Sequence, residues 1–154
     1  MSHRSVAREA ELPTTASTYY FSSLDALLTA TLTQCMDEDS QRLRDLIAAP
    51  DGSASDKIQG LARLMADVLS HRGHLLAEFE LCLLASRRAE LRGPTNRWTE
   101  TLRDFARLFT DSPLRVELFA NAYDGMLLRG LLRDEPPGPA DFEALLRELL
   151  PPPD

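Results

Sequence analysis

His3-Arg4-Ser5-Val6-Ala7-Arg8-Glu9-Ala10, then Glu11-Leu12-Pro13-Thr14, then Thr15-Ala16-Ser17-Thr18-Tyr19-Tyr20-Phe21-Ser22-Ser23-Leu24-Asp25-Ala26-Leu27-Leu28 is the stretch that decides the fold. Ser2 can cap a short helix through about Ala10, and Pro13 marks a tight turn. A second short helix then fits from about Thr15 to Tyr20. Ser23 stands as N-cap with Asp25 in the first turn of a long helix, where a carboxylate meets the positive end of the helix dipole. Two short helices, a turn and a long capped helix leave no room for a strand.

The rest of the chain repeats this helical grammar. Leu27, Leu28, Leu32, Cys35, Met36, Leu43, Leu46 and Ile47 fall on one side of the long helix. Ser55 reads as the cap of the next, whose Ile58, Leu61, Ala62, Met65, Val68 and Leu69 keep one apolar stripe until Gly73. A further helix runs to about Leu91, carries Leu75, Leu76, Phe79, Cys82 and Leu83 inward, and is ended by Gly93-Pro94. Trp98, Leu102, Phe105 and Phe109 mark another on a three-to-four spacing. The one strand-like cluster, Thr18 to Phe21, is too short to build a sheet, so the fold class is all-α.

The last two helices bear on assembly. From Pro113, after Ser112 as cap, to Arg133 the segment is apolar on two faces. Val116, Phe119, Tyr123 and Met126 lie on one; Leu118, Ala122, Gly125, Leu128 and Leu132 lie toward the other. One core cannot use both. The helix from about Ala140 to Leu150 aligns Phe142, Leu145, Leu146, Leu149 and Leu150. The expectation is a C-terminal four-helix interface in a two-fold homodimer, with Leu118, Ala122, Gly125, Leu128, Leu132, Phe142, Leu145, Leu146 and Leu149 at its seam.

Composition excludes several classes. The net charge of −7 argues against a nucleic-acid coat or a polybasic membrane binder, although it leaves room for a local reader. Of 17 basic residues only Lys57 is a lysine. The longest apolar run, Leu81 to Ala85, is far short of a membrane span, and the charged N-terminus is not a signal peptide, so no membrane partner is expected. Cys35 and Cys82 read as reduced core residues of a cytoplasmic protein. Pro151-Pro152-Pro153-Asp154 reads as a frayed, disordered tail. No phosphate loop, catalytic triad order or paired carboxylates stand out, so neither an enzyme nor a cofactor is expected. His71, His74 and Glu78 are too sparse for a metal site. Glu80, inside an apolar run, reads as a buried carboxylate that pairs with Arg87 or Arg88 or touches a ligand.

In order and spacing, residues 3–28 resemble the signature of the TetR family of bacterial transcription regulators. Phe79-Glu80-Leu81 and Tyr123-Asp124-Gly125-Met126-Leu127-Leu128 extend the likeness more diffusely over the body. The resemblance implies a helix-turn-helix whose second helix enters a DNA major groove. By it Arg4, Thr14, Thr15, Ser17, Thr18, Tyr19 and Tyr20 contact double-stranded DNA, small hydroxyl residues approaching bases and phosphates closely. Phe21 packs the module; Tyr20 suits either packing or a phosphate.

Three departures matter. Glycine is usual in the family where this chain has Glu11, and often where it has Thr15. Leu24 replaces a common lysine. The family's first helix is not seen ahead of His3. The expected division is a remnant DNA-binding module over 1–22, a regulatory, ligand-binding and dimerisation domain over 23–150, and the tail over 151–154. Arg4 and Arg8 are offset by Glu9 and Glu11, so weak DNA binding by this chain is expected, with binding to an operator once the first helix is restored. The reading is a repressor whose body senses an apolar small molecule; the alternative is a helical dimeric sensor or interaction protein that has lost DNA binding through truncation. Met65, Leu69, Phe79, Cys82, Trp98, Phe105, Tyr123 and Met126 line either a ligand cavity or a filled core.

Overall fold

The computed structural model describes residues 2–13, 15, 19–50 and 52–151, His3 and Glu90 through their backbone alone. All its regular structure is helical, as expected. Helix α1 spans His3–Glu9, α2 Leu24–Ala48, α3 Ala54–Ser70, α4 Arg72–Arg87, α5 Arg92–Ala106, α6 Pro113–Leu131 and α7 Pro139–Leu149, with a 3₁₀ turn at Ala89–Leu91 between α4 and α5. Thr15, Tyr19 and Tyr20 are also helical, while Thr14 and residues 16–18 lie outside the described residues.

Serines start the helices because the first-turn N–H groups have no carbonyl within the helix. Ser2 and Ser5 form a reciprocal capping box on α1. Ser23 Oγ accepts the Ala26 N–H at 3.1 Å on α2. On α3 the cap is Ser53, two residues before the expected Ser55: Ser53 Oγ accepts the Asp56 N–H at 3.2 Å and Asp56 accepts the Ser53 N–H at 2.9 Å. Asp56 decides the register, since only Ser53 has a carboxylate three residues on. The Ser55 hydroxyl instead accepts from Arg147 of α7 at 2.7 Å.

Two breaks also fall elsewhere than expected. The chain turns at His71, φ −93° and ψ 52°, so Gly73 lies in the first turn of α4. Gly93 and Pro94 do not end a helix; they lie in the first turn of α5, where the missing proline N–H would have had no helical partner. At the other end of α2, Lys57 Nζ donates to the carbonyls of Leu46 (3.1 Å), Ile47 (2.7 Å) and Ala49 (3.2 Å). That ammonium supplies the donors the last turn lacks and meets the negative end of the helix dipole.

The core joins α2, α3, α5, α6 and α7 through Leu32, Met36, Leu43, Leu61, Met65, Leu69, Leu102, Phe105, Phe119 and Phe142. Helices approach closely at two glycines. A Cβ at Gly60 would run into the Leu46 side chain, and one at Gly130 would lie 2.7 Å from Leu69 Cδ2. Helix α4 buries Leu75, Glu78 and Ala85, while Leu76 and Leu83, expected inward, are exposed. No helix is long and apolar enough to cross a membrane among the described residues.

Candidate functional site

A cavity of about 310 Å³ opens between α2, α4, α5 and α6. Its floor is Met36, Leu75, Glu78, Ala85, Trp98 and Leu127, all buried; Ser86, Arg92 and Asp124 are exposed at its mouth, with Phe79, Cys82, Thr95 and Thr99 between. The spacing Leu75, Glu78, Cys82, Ala85 is one stripe of α4. Glu78 therefore occupies a core position, and it is only 9 % exposed. Volume and lining are those of a small-ligand site at the lower end of the usual range, roughly 300–1,000 Å³.

Nearly every hydrogen-bond donor on the wall is engaged by backbone. Arg92 donates to the carbonyls of Ala85 (3.2 Å) and Ser86 (3.1 Å). Thr95 donates to Arg92 O at 2.8 Å, Thr99 to Thr95 O at 3.0 Å and Ser86 to Leu83 O at 2.7 Å. Glu78 has neither a hydrogen bond nor an ion pair among the described residues. Burial, and then the carboxylates of Asp39 and Asp124, push it up to about 8. Burial raises Asp124 to about 6 against the opposing effect of the Trp98 indole N–H, although the residue is exposed at the mouth. Burial, Glu78 and Asp124 push the Cys82 thiol up to about 12, so it is inert as a nucleophile at neutral pH. Trp98 packs edge-on to Tyr123 at 5.5 Å between ring centres and shows its surface to the cavity.

The residues expected to line a pocket thus divide. Phe79, Cys82 and Trp98 are on the cavity wall. Met65, Leu69, Phe105 and Tyr123 fill the core behind it, and Met126 lines a different groove. Glu80 is exposed, not buried, and lies beside Arg87 in a shallow surface hollow, while Arg88 pairs with Asp25 at the start of α2. The buried carboxylate of α4 is Glu78, two positions earlier. Its signal in the sequence is its i+3 relation to Leu75 and i−4 relation to Cys82, which outweighs the apolar neighbours on either side of Glu80.

On the opposite side, α6 and α7 leave an apolar groove of about 360 Å³ lined by Ala122, Gly125, Met126, Gly130, Pro137 and Leu145, with Phe142 at its base. Leu118 (56 %), Leu128 (45 %), Leu132 and Leu145 are exposed around it and Leu149 is half-buried, whereas Phe142 and Leu146 are wholly inside the core. At the N-terminus Arg4, Thr15, Tyr19 (83 %) and Tyr20 (75 %) are exposed; Thr14, Ser17 and Thr18 lie outside the described residues. Glu11, at the turn position where glycine is usual in the resembled family, has φ 55°.

A family model described as the C-terminal domain of tetracycline repressor-like proteins matches residues 53–152. EbrR, a multidrug binding protein, solved with malachite green, matches at 32% identity and TM-score 0.77, over 98% of this chain and 87% of that one. Its complex with ethidium matches at 33% and 0.72 over the same shares, 98% and 87%. SCO1917 of Streptomyces coelicolor A3, a member of the TetR family, matches at 32% and 0.76, again over 98% and 87%. No curated protein sequence matches.

Proposed function

The chain belongs to the TetR family of transcription regulators, and from that premise we propose that it is a DNA-binding repressor released by an aromatic cation held in the cavity between α2, α4, α5 and α6. The observation that carries this reading is Glu78, a buried carboxyl with no partner among the described residues, facing a cavity whose donors are nearly all engaged. An uncompensated carboxylate in such a place is costly, and a ligand cation removes the cost. Trp98 beside it offers an aromatic face, the best side chain for attracting a cation. The similar protein EbrR was solved with ethidium and with malachite green, both aromatic cations. The effector is therefore read as charged, where sequence alone suggested an apolar one.

The reader is residues 1–22, with Arg4, Thr14, Thr15, Ser17, Thr18, Tyr19 and Tyr20 toward DNA, and the body from residue 23 to 150 senses and dimerises. The seam is the groove of α6 and α7 with Leu118, Ala122, Gly125, Leu128, Leu132 and Leu145; Phe142 and Leu146 support it from inside. A cytoplasmic regulator without catalysis is the corresponding cellular role.

Trp98 is the one tryptophan of the chain, so its fluorescence reports on the cavity directly. Titration with ethidium and malachite green should change that emission saturably, and a neutral aromatic of similar size should bind at least ten-fold more weakly. Equal affinity for the neutral compound, or no saturable binding of either cation, would sink the reading.

A further inference from the structure

Two carboxyls line the cavity, Glu78 from α4 inside it and Asp124 from α6 at its mouth, and a third, Asp39 of α2, lies in the neighbouring outer notch. Two of them act on Glu78 directly, since both Asp39 and Asp124 oppose its ionisation. No cation is among the charges that act on Glu78. Arg92 of α5 lines the mouth of the cavity, held to the Ala85 and Ser86 carbonyls, and Arg88 pairs with Asp25. Arg42 and His74 act on Asp39 from a separate outer notch, and Asp67 of α3 pairs outward with Arg42 at 3.5 Å. Glu78 also faces Cys82 on its own helix, Cys35 of α2 and Tyr123 of α6; all three are neutral, their protons held by burial. A buried site without a counter-cation keeps an acid neutral.

Building on the cation reading above, we propose that the empty cavity holds a proton on Glu78 and that a cationic ligand enters in exchange for it. The O–H bond of the Glu78 carboxyl breaks, the proton leaves through the mouth past Asp124 to buffer, and the ligand's positive charge takes its place. The charge inside the protein is the same before and after, so the cavity discriminates between cations and neutral molecules without ever carrying an unpaired ion. Cation capture is then coupled to pH, and the coupling is reciprocal.

The test is calorimetric titration of the full, nucleic-acid-free chain with ethidium, whose charge does not titrate, in phosphate and in Tris, buffers of different ionisation heat. With Glu78 held at about 8 in the empty site, close to one proton should leave per ethidium at about pH 7, and apparent affinity should rise about ten-fold from pH 6 to 7. The count is read on the unmodified chain, so it stands even if a variant folds poorly. Glu78→Gln should abolish proton release, and Asp124→Asn should keep it. Binding with equal heat in both buffers, or release unaffected by Glu78→Gln, overturns the exchange and leaves the cation reading intact. No binding between about pH 6 and 9 overturns both.

Discussion

Replacing Gly125 by alanine separates the energetics of one chain from those of an assembly. In the free chain, a Cβ at this position meets nothing within 4 Å, and the residue lies well inside α6. Alanine there should stabilise the helix by about 0.8–1.0 kcal/mol, because glycine loses more backbone freedom on folding. If α6 packs against its copy along Ala122 and Gly125, the same methyl enters a close helix crossing. Overpacking of that kind costs about 1–3 kcal/mol, and two-fold symmetry applies it twice, so association should weaken by about 30-fold or more. Sedimentation equilibrium gives the association constant, and melting below and above it gives the stability of each form. The expected pattern is a variant more stable than the parent when dilute and less dimeric when concentrated. A parent that is monomeric at tens of micromolar refutes the assignment of the face. A variant stabilised at every concentration with unchanged association places the contact elsewhere on it. Gly130→Ala is the contrast, since its Cβ would press on Leu69, 1 % exposed, and should destabilise the chain by about 1–2 kcal/mol at any concentration.

Three further outcomes follow from single groups. Glu78, raised from 4.5 to about 8, binds its proton more tightly in the folded chain than in the unfolded one, so its contribution is complete below about pH 4.5 and is lost as pH rises through about 8. Denaturation at about pH 5, 7 and 9 should show a progressive loss, about 4 kcal/mol in all with more than half of it by pH 7, and Glu78→Gln should flatten it. Glu11→Gly removes the strain of φ 55° and should slow hydrogen exchange of the bonded Glu11 and Leu12 amides about five-fold, equivalent to about 1 kcal/mol; unchanged exchange would show that the turn is held by something else. Ser53→Ala should cost about 1 kcal/mol in urea denaturation and Ser55→Ala only a few tenths, and the reverse order would mean that the cap of α3 is misassigned.

The helical class, most caps and the two faces of α6 were legible because periodicity and hydroxyl caps are local properties. Val116, Phe119 and Tyr123 are buried and Leu118, Leu128 and Leu132 exposed, as the two-face pattern implied. The α4 region resisted, since Leu75, Leu76, Leu83 and Leu84 offer more apolar positions than one stripe can hold, and only neighbouring helices decide which are covered. The same ambiguity drew attention to Glu80 and away from Glu78. Pro94 misled for a related reason: a proline is equally compatible with the end of one helix and the first turn of the next. The cavity itself was not legible, because whether large side chains fill a space or leave one depends on helix spacing, which no single segment encodes.

The triple clasp of Lys57 on the end of α2 has a practical side for anyone wishing to follow this protein with a probe. Lys57 is the only lysine, so an amine-reactive dye, cross-linker or surface coupling that modifies a side chain modifies this one. An acylated nitrogen has lost its charge and most of its donors. The carbonyls of Leu46, Ile47 and Ala49 would be released, and with them the last turn of the helix that brings Met36 to the cavity. Conventional bioconjugation would therefore perturb the helix it was meant to report on, whereas Trp98 reports from the cavity wall with no chemistry at all.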